Sequence, residues 1–214
     1  MTAGTLQGFA RLVTLEGGEG AGKSTVLDAL RAELEAQGHE VLCTREPGGT
    51  PLAEMIRALL LDPGHETPSP QAELLLMFAS RAQHVRETVM PALARGAWVL
   101  SDRFTDSSYA YQGGGRGLDV ALIETLEREV VGIRPGLTLL LDVPVVEGRA
   151  RADGRDQAAD RIERERDEFF ERARAVFLAR AAAEPGRFRV IDARRDAATV
   201  AGEACTLLRQ YQAG

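Results

Sequence analysis

Eight residues near the amino terminus carry the plainest chemistry in the chain. Gly17-Gly18-Glu19-Gly20-Ala21-Gly22-Lys23-Ser24 has the spacing G-x-x-x-x-G-K-[ST]. Small residues at these places let several backbone N–H groups wrap a phosphate, and the following helix N-terminus adds positive potential. Lys23 would bridge the terminal phosphates of a nucleoside triphosphate. Ser24, with Thr25 beside it, would hold Mg²⁺. Of the 26 basic residues Lys23 is the one lysine and the other 25 are arginine. A compact ammonium fits where a broad guanidinium does not. The bland alternative is a glycine-rich turn with no ligand; the strand before it, the helix after it and the lone lysine argue against that.

Charged residues also follow other apolar runs. Trp98-Val99-Leu100-Ser101-Asp102-Arg103 ends a run on a carboxylate that could hold Mg²⁺ or orient an acceptor phosphate. An aspartate capping the next helix is the competing reading. Asp142 ends a third run and ranks below Asp102. Arg45 and Arg103 each stand just past a run, where guanidinium groups can fork onto phosphate oxygens. For any single arginine a surface or salt-bridge role is the default. Their common placement argues for an anion.

The elements that must position these residues alternate. Strands are expected at Leu12–Glu16, Glu40–Thr44, Ala97–Ser101, Leu137–Asp142 and Phe188–Asp192. Leu27, Leu30 and Leu34, and likewise Ile123, Leu126 and Val130, recur at helical spacing. Pro51–Leu61, Pro70–Leu93, Asp160–Ala183 and Ala197–Tyr211 also read as helices. Such alternation implies one α/β domain over residues 1–214, a five-stranded parallel sheet between two helical layers, of the P-loop NTPase type. Ligands in such folds lie beyond the carboxyl ends of the strands. Residues 147–174 hold eight arginines and nine acids; most such runs are solvated helix faces. Within them, residues 149–161 are expected to form a short lid, with a loop from Asp153 to Ala159.

Composition narrows the class. Hydrophobic residues make up 44% and charged residues 27%, with a net charge of −6. A nucleic-acid polymer would call for a basic face, and none is demanded here. The longest apolar runs are too short to span a bilayer, and the first eight residues show no secretory pattern. Cys43 and Cys205 lack disulfide or zinc spacing and suggest reduced thiols, hence a cytoplasmic protein. His39, His65 and His84 show no metal-ligand spacing, and His84 is expected on a helix surface.

Two longer strings, Thr44-Arg45-Glu46-Pro47-Gly48-Gly49-Thr50 and Ala110-Tyr111-Gln112-Gly113-Gly114-Gly115-Arg116-Gly117, join the phosphate loop. Together they closely resemble thymidylate kinase (dTMP kinase) of the bacterial type, over about Val13 to Asp192. The resemblance implies transfer of the γ-phosphoryl group of ATP to dTMP, with Mg²⁺ as cofactor and a homodimer as the assembly. It implies that Arg45 and Arg103 hold the acceptor phosphate and that Glu46 and Pro47 shape the loop beside it. Arg81 would bond the thymine carbonyl, Ser108 and Gln112 would lie at the base edge, and Tyr111 would close off the sugar's 2′ side.

One place departs from the family's pattern. A phenylalanine usually stands four residues before the thymine-binding arginine; here Met77 does, and Phe78 stands three before Arg81. Phe78 could stack on the base after a small rotation, Met77 could make a sulfur–ring contact, or both could be core. In the family's bacterial pattern the basic residue comes from the lid rather than the phosphate loop. Arg155 is the first choice for it and Arg151 the reserve, while Arg161 could face phosphates or a helix partner. An anionic acceptor oxygen needs no strong base, so catalysis would rest on positioning and on charge from Lys23, Arg103 and Arg155. The alternatives are another small P-loop nucleotide or deoxynucleoside kinase, or a non-enzymatic nucleotide switch. A switch would carry an N-K-x-D base-reading motif, which the sequence lacks.

Overall fold

A computed structural model describes residues 6–154 and 159–214, apart from the side chain of Asp153. In chain order the elements are β1 (Gln7–Gly17), α1 (Lys23–Ala36), β2 (Val41–Arg45), α2 (Pro51–Leu61), α3 (Pro70–His84), α4 (Met90–Ala94) and β3 (Trp98–Asp102). There follow α5 (Thr105–Ser108), α6 (Val120–Leu126), β4 (Ile133–Asp142), α7 (Val145–Asp153), α8 (Asp167–Ala183), β5 (Phe188–Asp192) and α9 (Ala197–Ala213). All five strands are parallel, in the order β2-β3-β1-β4-β5. This is the expected P-loop α/β sheet.

The helices start where their sequence says they should. Thr50 accepts a hydrogen bond from Ala53 N and Ser69 from Ala72 N, each followed by a proline at the first helical position. Expected helix Pro70–Leu93 is three consecutive pieces: α3, a wide π turn over Val85–Val89, and α4. Pro91, which has no N–H to donate, stands where the α-helix restarts. Expected helix Asp160–Ala183 starts later, at Asp167. Asp160 Oδ1 instead accepts from the N–H groups of Ile162 and Glu163, closing a turn before the helix.

Each face of the sheet has its own core. Val13, Leu15, Leu100, Leu137 and Leu139 pack on Leu30 and Leu34 of α1 and Val200 and Leu208 of α9. On the other face Leu12 and Val99 meet Leu74 and Phe78 of α3 and Phe104. A third cluster joins Tyr111 and Leu140 to Phe169, Phe170 and Phe177 of α8. The alternation of β1 puts Val13 and Leu15 against one layer and Leu12, Thr14 and Glu16 toward the other. All five are fully buried.

The register brings the strand ends together. Arg45 lies beside Asp102, Asp102 beside Leu15, and Gly17 beside Leu141. Among the described residues no helix is long and apolar enough to cross a membrane.

Candidate active site

The phosphate loop runs from the end of β1 to the start of α1, with Gly22 in the left-handed region (φ 88°) capping the helix. Gly20 also has positive φ, and a Cβ there would run into the carbonyl oxygen of Gly148 in α7. Only glycine lets the loop and α7 approach this closely. Lys23 Nζ donates to the carbonyls of Gly17 at 3.3 Å and Gly18 at 3.0 Å. Burial, and then the neighbouring Arg103, pull its ammonium below the ordinary lysine value. Ser24 and Thr25 are exposed on the first turn.

Arg103 is the one non-glycine residue with positive φ (69°) among the described residues. That turn aims its side chain back at the phosphate loop. Nη1 donates to Gly17 O at 3.0 Å and Ser107 Oγ at 3.2 Å, and Nη2 donates to Glu19 Oε1 at 2.6 Å. The guanidinium also sits over the Tyr111 ring, 4.9 Å from its centre. Glu16 holds the turn from below: Oε1 accepts from Phe104 N at 2.8 Å and Oε2 from Ser107 Oγ at 2.6 Å. Burial, with Asp106 adding, pushes the Glu16 carboxyl up to about 7.

A cavity of about 900 Å³ opens above these strand ends. One wall is the phosphate loop from Glu19 to Ser24 with Asp102 and Arg103; the other carries Arg45, Glu46, Pro47 and Arg57. Its inner end is lined by Met77, Arg81, Ser108, Tyr111 and Gln112. Arg81 is almost fully buried: Nε donates to Glu46 Oε2 at 2.5 Å, Nη1 to Ser108 Oγ at 3.0 Å and Nη2 to Phe104 O at 3.2 Å. A second cavity, about 390 Å³, lies on the other side of the loop, between residues 20–22, Thr25, Arg151 and residues 193–197 after β5.

Most of the expected site residues therefore converge on the large cavity. Phe78 is 1% exposed in the core, its ring 4.8 Å below the Arg81 guanidinium, and does not line the cavity; Met77 does. Arg155 lies outside the described residues. Its reserve, Arg151, donates to the carbonyls of Ala193 and Arg194. Arg161 faces a helix partner: it donates to Glu73 Oε2 at 2.6 Å and Leu60 O at 2.7 Å. Asp142 is held bidentately by Arg174, at 2.7 and 2.9 Å, and does not line the large cavity.

His84 is not on the surface, as its sequence context suggested. It is fully buried, with Nδ1 2.9 Å from Glu46 Oε1 and Nε2 2.7 Å from Thr44 Oγ1. The imidazole thus braces the loop after β2, and a Cβ on Gly49 would strike it. His84 stands three residues after Arg81 on one helix face, a spacing that links both to Glu46. Glu16, directly before the first loop glycine, was another legible signal, being a strand-end acid. Arg57 and Glu73 carry no local signal of their own.

The comparisons with known proteins agree with this geometry. The sequence profile described as "Thymidylate kinase" matches residues 15–203. A thymidylate kinase of Pseudomonas fluorescens (strain SBW25) is 59% identical over 88% of this chain and 90% of its own length. The chain is a member of the thymidylate kinase family. A relative from Alcanivorax borkumensis, also named thymidylate kinase, is 53% identical over 95% of this chain and 98% of its own. The crystal structure of thymidylate kinase from Ehrlichia chaffeensis superposes with a TM-score of 0.76 at 32% identity, covering 92% of this chain and 97% of that one. As a family member this protein is a nucleoside monophosphate kinase acting on nucleotide substrates.

The donor set also bears on a metal. Asp102 Oδ1 is buried with no hydrogen-bond partner, which suits a cation or its bound water. Among the described residues no three His, Cys, Asp or Glu side chains cluster for a metal, so phosphate oxygens would have to complete any Mg²⁺ shell.

Proposed function

We propose that this protein transfers the γ-phosphoryl group of ATP to dTMP, giving dTDP and ADP. The observation that carries the proposal is a single cavity with an anion cradle on each side. Lys23 and the loop amides stand on one side, Arg45 and Arg57 on the other, and Arg103 reaches from the end of β3 to the loop between them. The smaller cavity beyond the loop, lined by Thr25, Val26 and Arg194, would take the adenosine of ATP.

At the inner end of the large cavity, Arg81 and Ser108 present polar atoms to a pyrimidine edge while Met77 gives an apolar wall. Tyr111, its hydroxyl kept neutral by burial, would crowd the sugar's 2′ side. Arg45, with Arg57 next to it, would fork onto the acceptor phosphate; Arg103 would neutralise charge between the two phosphates. The acceptor oxygen is already anionic, so no strong general base is needed and catalysis is positioning plus charge neutralisation. Mg²⁺, held by Ser24 and Asp102 with the phosphates, would supply further positive charge to the β- and γ-oxygens. Arg155, in the lid, would add the last cation and help close the site against water.

A homodimer is also proposed. The exposed apolar residues Leu52, Met55 and Leu59 of α2 and Leu75 of neighbouring α3 would supply part of its face. A cytoplasmic location accords with two unpaired cysteines.

The test is an acceptor panel with ATP: dTMP, dUMP, dCMP, AMP, GMP and thymidine. A clear preference for dTMP is expected. Preference for thymidine or for another monophosphate would replace the acceptor assignment, and ADP release indifferent to any acceptor would remove it.

A further inference from the structure

We infer that Glu73 sets the base specificity of the acceptor site by fixing which end of the Gln112 amide faces the cavity. The inference rests on the reading of that cavity as a nucleotide acceptor site. Glu73 lies on α3 and is 1% exposed, while Gln112 lies 39 residues on, in the π turn Tyr109–Gly115 that lines the cavity.

The Glu73 carboxylate meets four N–H donors. Oε1 accepts from Gln112 Nε2 at 3.0 Å and Arg116 Nε at 3.1 Å. Oε2 accepts from Arg116 Nη2 at 3.0 Å and Arg161 Nη2 at 2.6 Å. Burial works against the charge, but the bonds from Arg116, Gln112 and Arg161 hold the carboxyl below its ordinary value. An ionised carboxylate can only accept. It therefore takes the NH₂ end of the Gln112 amide and turns the carbonyl end the other way.

No donor among the described residues bonds Gln112 Oε1, so the cavity receives an acceptor at this point. A pyrimidine with a ring N–H, as in thymine or uracil, supplies the matching donor. Cytosine has a lone pair on that nitrogen and would face the carbonyl oxygen with like polarity. Were Glu73 neutral, the amide could turn over and serve either base. Discrimination at a site built to hydrogen-bond one partner is strong because the wrong base leaves a buried group unpaired. Glu73 touches no substrate; it is a positioning residue.

The experiment is a double-mutant cycle read as the ratio of kcat/KM for dTMP to that for dCMP, with ATP as donor. Glu73→Gln is expected to lower the ratio by about tenfold or more, chiefly through KM, with the KM for ATP retained. In a Gln112→Met background the same change should move the ratio by less than about twofold. An equal loss for both acceptors in Glu73→Gln, or a ratio shift that persists without Gln112, would overturn the inference. Because Glu73→Gln strips a partner from buried Arg161, Glu73→Gln with Arg161→Met, compared with Arg161→Met alone, repeats the measurement without that cation. Neutron diffraction on the unsubstituted protein reads the amide directly: deuterons of Gln112 should face Glu73, and deuterons facing the cavity would end the proposal. Wild-type protein active on neither pyrimidine would count against the acceptor reading, while the neutron map would still decide the amide's direction.

Discussion

Glu46 and Arg81 form a buried ion pair, Nε to Oε2 at 2.5 Å, that ties the loop after β2 to helix α3. Both side chains are at most 3% exposed, and His84 occupies the other carboxylate oxygen. One carboxylate thereby fixes two walls of the cavity: the loop after β2 that carries Pro47, and the guanidinium at the inner end. Breaking one side of a buried pair strands the other charge, at a cost of about 3–5 kcal/mol when the partner is removed outright. Glu46→Gln keeps the shape and one carbonyl oxygen, so about 2–3 kcal/mol is expected from urea unfolding. The kcat/KM for dTMP should fall at least about tenfold, with the KM for ATP little changed. An unaltered acceptor KM in a folded Glu46→Gln protein would show that the pair does not position the base.

Glu16 gives a pH dependence of definite sign. Its folded-state value of about 7 lies above the ordinary 4.5, because burial and the nearby Asp106 penalise the charge. Between those values the folded protein keeps a proton that the unfolded chain releases, so stability falls as pH rises from about 4.5 to 7. Glu16→Gln cannot titrate and can still meet Phe104 N and Ser107 Oγ. Relative to that variant, the wild type should lose on the order of 1–3 kcal/mol between pH 5 and 8. Urea midpoints at four pH values read this; parallel curves for the two proteins would refute it.

Lys23→Met separates catalysis from folding. The ammonium is buried against two loop carbonyls, and methionine can fill the stem's volume without a charge to desolvate. Turnover should drop by about a thousandfold or more while the melting temperature stays within about 5 °C of wild type. Near-normal turnover by the folded variant would remove Lys23 from the mechanism.

The sheet was legible because each strand is a short apolar run closed by a charged or small residue, and β1, β3 and β4 are buried on both faces. The phosphate loop and the arginines after β2 and β3 were legible for the same reason: their position follows from the strand ends. What stayed hidden depends on contacts between distant segments. Nothing beside His84 in sequence reveals that Thr44 and Glu46 enclose it, and Arg161 meets Glu73 across 88 residues. The start of α8 is not legible because charged residues 160–166 fit a helix by composition, whereas the Asp160 side chain competes for the N–H groups that a helix would use.

Met77 and Phe78 mark where one residue of register changes the chemistry. Adjacent helix positions are about 100° apart, so they cannot both face the cavity. Phe78 points into the core with Leu12, Val99 and Phe104, under the Arg81 guanidinium, and Met77 forms the cavity wall. The two alanine variants should therefore fail in different ways. Phe78→Ala leaves a void in a close-packed layer and should cost about 3–5 kcal/mol, with any loss of activity following the loss of folded protein. Met77→Ala removes a side chain that already borders open space, so the stability cost should be about 1–2 kcal/mol. Its main effect should be a several-fold rise in the KM for dTMP, since a thymine ring would lose its apolar contact there. Steady-state kinetics on both variants, corrected for folded fraction by their unfolding curves, decides the matter. If Phe78→Ala raised the acceptor KM while Met77→Ala did not, the base would have to lie on the other face of α3, and the helix would turn when it binds.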